Sequence, residues 1–324
     1  MNLIDGKLVS KAIKEQIKKD LAKIIDSGAR APHLVAILVG DDPASVTYVN
    51  NKEKTCHSVG ISSSVYKMKE NTTTEELLGV VDFLNHDDEV DGFIVQLPLP
   101  PHIDKDLIIN AIDPSKDVDG FHPVNIGKMV TGEPAYLPAT PFGILKLLEY
   151  YKIETAGKNS VVVGRSNIVG TPVSILLSRK GYPGDCTVTL CHSRTANMAE
   201  ICRRADILIV AIGKPNFITA DMVKPGAVVI DVGTNRVEAA DTPSGFKLVG
   251  DVDFDEVSKI AGWISPVPGG VGPMTITGLL LNTMTAYRNK FSHLFDGDCD
   301  NCDNDECDCE DKHCDHHGHN CNSH

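Results

Sequence analysis

The segment Asp42-Pro43-Ala44-Ser45-Val46-Thr47-Tyr48-Val49-Asn50-Asn51-Lys52 sets a phenol and an amine four residues apart. On a helix they share a face about one turn apart, with Ser45 adding to the same side. An aromatic plate and an amine then point together into one site, although the spacing also fits a solvated lysine beside a half-buried tyrosine. In Phe93-Ile94-Val95-Gln96-Leu97-Pro98-Leu99-Pro100, an apolar strand ends in an amide. Ligands of open α/β sheets bind beyond the carboxyl ends of strands, where Gln96 falls, while a plain strand cap is the competing account. The stretch Asp117-Val118-Asp119-Gly120-Phe121 offers two carboxylates in turn-forming company and is also readable as a simple turn.

A second group of residues suits a nucleotide. Val163-Gly164-Arg165-Ser166-Asn167-Ile168-Val169-Gly170-Thr171-Pro172 lies where a strand passes into a helix, a position at which helix N–H groups bind phosphate. Against the pattern Gly-x-Gly-x-x-Gly, Ser166 stands at the second glycine and Gly170 comes one residue late. About twenty residues on, an NAD site places an acid for the ribose hydroxyls. Here the chain reads Cys191-His192-Ser193-Arg194-Thr195. Hydroxyls and a cation without an acid suit a 2'-phosphate, which favours NADP. The candidate cofactor contacts are Gly164, Arg165, Ser166, Ile168, Gly170, Ser193 and Arg194, with Gly233 and Thr234 after a later strand. The loop Pro266-Val267-Pro268-Gly269-Gly270-Val271-Gly272-Pro273-Met274-Thr275 has glycines that would let backbone approach a flat ligand. Pro268, Gly269 and Gly270 are therefore candidate substrate contacts, with generic turn chemistry as the alternative.

Taken together, these stretches resemble the methylenetetrahydrofolate dehydrogenase/cyclohydrolase family, collinearly from about Leu3 to Lys290. The most specific parts are Tyr48 with Lys52, Val95-Gln96-Leu97-Pro98, Asp117-Val118-Asp119-Gly120 and Pro268-Gly269-Gly270-Val271-Gly272-Pro273-Met274-Thr275. The resemblance implies two α/β domains with a folate cleft between them, and a homodimer formed through the NADP domain. It also implies oxidation of 5,10-methylenetetrahydrofolate to the 5,10-methenyl cation, followed by hydrolysis to 10-formyltetrahydrofolate, with no metal needed for catalysis. Lys52 is the candidate for the hydrolytic proton transfers, oriented by Gln96, with Tyr48 against the folate ring. A lysine amine is protonated near neutrality unless burial or a neighbouring cation intervenes, and the methenyl ring is such a cation. By resemblance, Asp119 anchors the pterin N–H groups, which suit a carboxylate acceptor.

The elements that must position these residues alternate. Apolar residues from Ile4 to Ile25 recur at helical spacing, and Gly28 falls where that helix would stop. Strands are expected at 34–39, 62–68 and 92–96, with helices at 43–58, 74–85 and 124–130. Thr140-Pro141 reads as an N-cap and first-turn proline for a helix to Tyr150. Further strands at 160–163, 187–190, 207–210 and 227–231, then a helix from Met274 to about Lys290, complete a doubly wound pattern. The fold class is α/β: a folate-binding catalytic domain at 1–139 plus 270–291, and a Rossmann-like NADP domain at 140–269. Residues 292–324 form an acidic Cys/His-rich tail.

Of the formal net charge of −13, residues from Asp296 onward contribute −9, leaving a body at −4 with no basic stripe suited to nucleic acid. No apolar run approaches a membrane span and no signal peptide is evident, so a cytoplasmic protein is expected. Cys56, Cys186, Cys191 and Cys202 of the body read as small buried hydrophobes. Past Phe295 aliphatic side chains almost vanish, which predicts a disordered tail unless metal folds it. Its Cys299, Cys302, Cys307, Cys309, His313, Cys314, His316, His317, His319 and Cys321 are ligand types that zinc or nickel accepts. Two other readings are a relative acting on an amino or hydroxy acid, and a metal-buffering protein whose body is a scaffold.

Overall fold

The computed structural model describes residues 1–239 and 245–292. The tail from 293 onward, with all its candidate metal ligands, lies outside the described residues. Strand β1 (Asn2–Leu3) leads into α1 (Gly6–Asp26), which starts where the Asp5 carboxylate accepts the Lys7 and Leu8 N–H groups. Almost every residue of β2 (His33–Val39) is buried, as in a strand covered on both faces. The next helix, α2 (Pro43–Val59), begins at a proline behind the capping Asp42 and stops at Gly60, whose φ is 95°. Then come β3 (Ser62–Met68), α3 (Thr74–His86) with a Thr73/Glu76 capping box, and β4 (Gly92–Val95). These strands form a parallel sheet in the order β3-β2-β4. Helices α4 (Lys105–Ala111), α5 (Pro123–Thr131) and α6 (Ala139–Tyr150) lead to the second sheet.

That sheet is built from β5 (Asn159–Val163), α7 (Gly170–Ser178), β6 (Thr187–Cys191), α8 (Met198–Cys202), β7 (Ile207–Val210) and β8 (Val228–Asp231). A ribbon of β9 (Asn235–Glu238) and β10 (Phe246–Val249) follows, then α9 (Phe254–Val257), β11 (Trp263–Ile264) and α10 (Val271–Lys290). The six-stranded order is β1-β11-β8-β7-β5-β6, parallel throughout. From β5 the chain moves outward to β6, then crosses back to β7 on the opposite side. The carboxyl ends of β5 and β7 therefore flank the topological switch point, where such folds bind ligands.

Several expectations are corrected. Residues 2–3 do not belong with the first sheet: Asn2 and Leu3 pair with Trp263 and Ile264, covering the outer edge of β11. Thr140 does not cap α6, because that helix already begins at Ala139 behind Pro138. The Thr140 hydroxyl instead bonds Thr275 Oγ1 at 2.9 Å. Helix α10 starts at Val271, three residues earlier than expected, since Pro273 in the first turn gives up only an N–H that would lack a helical partner anyway. Helices α6 and α10 cross in close contact through glycines. A Cβ on Gly143 would lie 2.7 Å from the Met274 carbonyl oxygen, and one on Gly278 would lie 2.4 Å from that of Ala139.

The four body cysteines are free and buried. Burial pushes the Cys56 and Cys202 thiols up to about 12 and Cys186 to about 11, which keeps them unreactive. Among the described residues, no helix is long and apolar enough to cross a membrane.

Candidate active site

Lys52 stands on α2 with its Nζ 3.1 Å from Gln96 Oε1. Gln96 follows β4 directly, and its position is fixed from both ends. Its N–H donates to the Ile37 carbonyl at 2.9 Å, and its side-chain Nε2 donates to the Leu97 carbonyl at 2.6 Å. That second bond turns Oε1 toward the ammonium, the only orientation in which the amide accepts from Lys52. Ser45 is buried one turn before the half-exposed Tyr48.

Asp119 owes its direction to its neighbours. The Asp117 carboxylate accepts from Phe121 N–H at 3.2 Å, His122 N–H at 2.8 Å and Asn125 Nδ2 at 2.9 Å. Its burial pushes the carboxyl up to about 6. Val118 fills the space above Gly92, where an added Cβ would lie 2.3 Å from Val118 Cγ1. Gly120 has φ 72° and runs against Leu137, 2.6 Å from where its Cβ would be. With both flanks held, the Asp119 carboxylate faces the space occupied by Lys52. Burial raises its pKa and the Lys52 cation opposes that rise.

Ser45, Tyr48, Lys52, Gln96 and Asp119 thus line one cleft of about 310 Å³, closed by Phe121, Ile168, Thr140 and Thr275. The threonines and Phe121 were not among the residues selected from the sequence. Pro268, Gly269 and Gly270 do not line this cleft. Their loop packs on the start of α1, where the Gly269 carbonyl accepts Lys7 N–H at 3.1 Å and a Cβ on Gly6 would lie 1.8 Å from the Gly270 carbonyl oxygen. The glycines therefore serve a backbone-on-backbone contact.

At the switch point, a Cβ on Gly164 would lie 2.1 Å from the Ala211 carbonyl oxygen, and one on Gly170 would lie 1.9 Å from that of Gly164. Ser166, in the place of a glycine, uses its hydroxyl to receive Val169 N–H at 3.2 Å and Gly170 N–H at 3.4 Å, holding the entry to α7. Arg165, Ser166 and Ile168 are exposed on the loop, as are Ser193 and Arg194 on the turn after β6. Among the described residues no carboxylate lies within 4 Å of the Arg165 or Arg194 guanidinium. Two buried aspartates, which sequence reading passed over, brace the crevice. Asp251 receives the N–H groups of Ile212, Gly213 and Lys214 at 2.7, 2.9 and 2.8 Å. Asp231 receives those of Gly233, Asp251 and Val252, each at 2.9 Å, and burial pushes it up to about 6. Gly233 is thus a packing position with its N–H already used, and Thr234 is exposed beside it. A nucleotide fits this region: bare backbone at the strand ends, a helix N-terminus, and two uncompensated guanidinium groups for phosphate.

Two family models match the chain. The catalytic domain of tetrahydrofolate dehydrogenase/cyclohydrolase covers residues 4–119, and the NAD(P)-binding domain of the same enzymes covers 138–291. The chain belongs to the tetrahydrofolate dehydrogenase/cyclohydrolase family. The Bacteroides fragilis bifunctional protein FolD is 57% identical over 288 residues, spanning 89% of this chain and 98% of that relative. The crystal structure of the bifunctional enzyme FolD from Campylobacter jejuni matches with 50% identity and a TM-score of 0.84, covering 90% of this chain and 99% of its own. The Trypanosoma brucei methylenetetrahydrofolate dehydrogenase-cyclohydrolase, solved with NADP cofactor and an inhibitor, matches with 39% identity and a TM-score of 0.84, over 89% and 97% of the two chains. Membership of the tetrahydrofolate dehydrogenase/cyclohydrolase family removes the readings of the body as a scaffold or as an amino- or hydroxy-acid enzyme. The family's catalytic and NAD(P)-binding domains leave 120–137 between them, the stretch that carries α5.

Proposed function

We propose that the chain oxidises 5,10-methylenetetrahydrofolate to the 5,10-methenyl cation with NADP⁺ and hydrolyses that cation to 10-formyltetrahydrofolate, as a cytoplasmic homodimer serving one-carbon metabolism. The supporting observation is the 3.1 Å Lys52–Gln96 contact in one cleft with Asp119 and Tyr48, adjoining the strand-end crevice through Ile168. Asp119 accepts the pterin N–H groups, and the Tyr48 ring lies flat against the folate. When bound, NADP⁺ supplies the hydride acceptor. Face-to-face positioning by the two domains is the protein's part in that step. In hydrolysis, water bonds to the methenyl carbon and loses one proton to the Lys52 amine, giving a neutral carbinolamine. The new hydroxyl then loses its proton as the carbonyl forms and the carbon–N5 bond breaks, and N5 takes up a proton, so that one proton is released overall. Gln96 keeps the amine aimed at the reacting carbon.

Domain limits follow this reading, with 1–139 plus 270–291 holding folate and 140–269 holding NADP, except that β1 serves the second sheet. The dimer through the NADP domain is supported by the antiparallel β9/β10 ribbon, which stands outside both larger sheets with strand edges to offer.

An absorbance assay following formation and decay of methenyltetrahydrofolate, with NADP⁺ or NAD⁺, tests the reading. NADP⁺ should be preferred about tenfold to a hundredfold in kcat/KM, the effect of a charge-assisted contact worth ~1.5 to 3 kcal/mol at the 2'-phosphate. Equal values would strike out Arg165, Ser193 and Arg194 as its partners.

The tail is assigned no catalytic part. Its thiolates and imidazoles should bind zinc or nickel in interchangeable sets, since overlapping ligands compete for each ion. A chain ending at Phe291 is expected to keep both activities and lose the metal that survives dialysis of the full-length protein. Equal metal content by elemental analysis would reject the tail as the binding site.

A further inference from the structure

Helix α10 turns one row of residues toward the cleft and the start of α6. Thr275, Gly278 and Asn282 stand at i, i+3 and i+7, so they share a face. Thr275 meets Thr140 at the cleft wall, and Gly278 lets the Ala139 carbonyl come close. Asn282 ends the row. It is 3% exposed and does not line the cleft.

The Asn282 side-chain Nδ2 donates to the Val118 carbonyl at 2.8 Å and to the Leu137 carbonyl at 2.8 Å. A primary amide carries two N–H donors on one nitrogen, and both are spent here on main chain. Among the described residues, neither carbonyl has another donor. The peptide unit is planar, so holding the Val118 carbonyl fixes the plane that enters Asp119. The plane that leaves Asp119 is held as well, because the Asp119 carbonyl accepts Ala139 N–H at 3.3 Å. Ala139 follows Leu137 and Pro138, so one amide steadies both planes, the first directly and the second through the start of α6. Asp117 acts farther along the turn, on the N–H groups of Phe121 and His122.

We propose that Asn282 is a positioning residue for both folate reactions: by holding the main chain on either side of Asp119, it aims the carboxylate that receives the pterin. This role rests on the folate reading above. Asn282 touches neither folate nor cofactor, and its whole effect passes through Asp119. Losing its two donors frees the peptide planes to rotate, and the Asp119 carboxylate swings with them.

Leucine matches asparagine in size and lacks its donors. Asn282→Leu should raise KM for methylenetetrahydrofolate and for methenyltetrahydrofolate by a common factor of about ten to a hundred, since a misplacement of about 1 Å costs a preorganised site up to about 10²-fold. The kcat values should stay within about threefold, the pattern of binding lost equally from ground and transition states. Thr283→Val is the control, because that buried hydroxyl donates within the helix, to the Leu279 carbonyl at 2.9 Å, and both KM values should match the parent. Circular dichroism confirms that the variants are folded. Asn282→Ala, which leaves room for water to reach the two carbonyls, takes the place of leucine if that variant does not fold, with KM rising in the same direction. The deciding comparison uses an Asp119→Ala background, read as the dissociation constant for tetrahydrofolate, which carries no one-carbon unit to react. With no carboxylate left to aim, Asn282→Leu should change that constant by less than about twofold, because effects that share one route do not add. An unchanged KM in the folded single variant, or a full further loss in the Asp119→Ala background, overturns the positioning role and leaves the folate reading standing. Absence of folate turnover by the parent overturns the folate reading and the role of Asn282 with it.

Discussion

Lys52→Met is expected to cost hydrolysis of methenyltetrahydrofolate about 10²- to 10⁴-fold, the usual contribution of a positioned proton-transfer group, while hydride transfer persists at a reduced rate. Methionine keeps the unbranched stem but removes the amine, and with it the 3.1 Å bond to Gln96 Oε1. Hydride transfer needs the folate and nicotinamide held together, and Asp119, Tyr48 and the switch-point crevice remain for that purpose. Gln96 will then need water or a new partner for Oε1, a local cost of about 1 to 3 kcal/mol if it finds none. Decay of supplied methenyltetrahydrofolate, measured with folded variant against parent after subtracting the spontaneous rate, gives the answer directly. Unchanged decay would remove Lys52 from the mechanism. Equal loss of both activities would mean that the lysine positions substrate for both steps.

The part of this site that is legible in the sequence is the part fixed by local geometry. Helical spacing alone aligns Ser45, Tyr48 and Lys52, and a strand end alone presents Gln96. Choosing Asp119 over Asp117 depended on family resemblance, because two carboxylates in one turn look alike until their partners are known. Asp117 is occupied by Phe121, His122 and Asn125, which leaves Asp119 to face the cleft. Thr140 and Thr275 were not readable, since their hydroxyls meet across 135 residues only because Gly143 and Gly278 let α6 and α10 approach. The Pro268 loop shows the converse difficulty. Glycine signals that a backbone must come close to something, and here that something includes the chain itself at Gly6.

The same division runs through the fold. Long strands such as β2 and helices with caps, such as α3, carry their own signals. The two-residue strands β1 and β11 carry none, because each exists only through the parallel neighbour it pairs with. Helix α4 follows prolines and is only seven residues long, so periodicity has too little length to register. In the nucleotide region, the substitution of serine for a glycine weakened the expected pattern, yet Ser166 performs a local task by binding two N–H groups at the helix entry.

Gly164→Ala is expected to impair NADP binding about a hundredfold and to destabilise the protein by ~2 to 4 kcal/mol, combining backbone strain with overpacking. Gly164 has φ 119°, outside the range an L-residue adopts comfortably, and its new methyl would meet the Ala211 carbonyl oxygen at 2.1 Å. One of the two strand ends must therefore yield. The β7 side is held through the loop that follows it, where Asp251 accepts three successive N–H groups, so relief requires β5 and the turn into α7 to move. That movement carries Arg165, Ser166 and Gly170 away from the positions a dinucleotide phosphate needs. The folate cleft draws only Ile168 from this loop, so hydrolysis of supplied methenyltetrahydrofolate should survive in the folded fraction. Thermal unfolding with and without NADP⁺, paired with that hydrolysis assay, separates the effects. Gly79→Ala in α3 is the control, because no atom lies within 4 Å of its added Cβ and helix propensity favours alanine by about 1 kcal/mol. An unfolding midpoint and an NADP affinity for Gly164→Ala that match the parent would show that the strand ends can separate freely, and the rigid switch-point crevice would have to be abandoned.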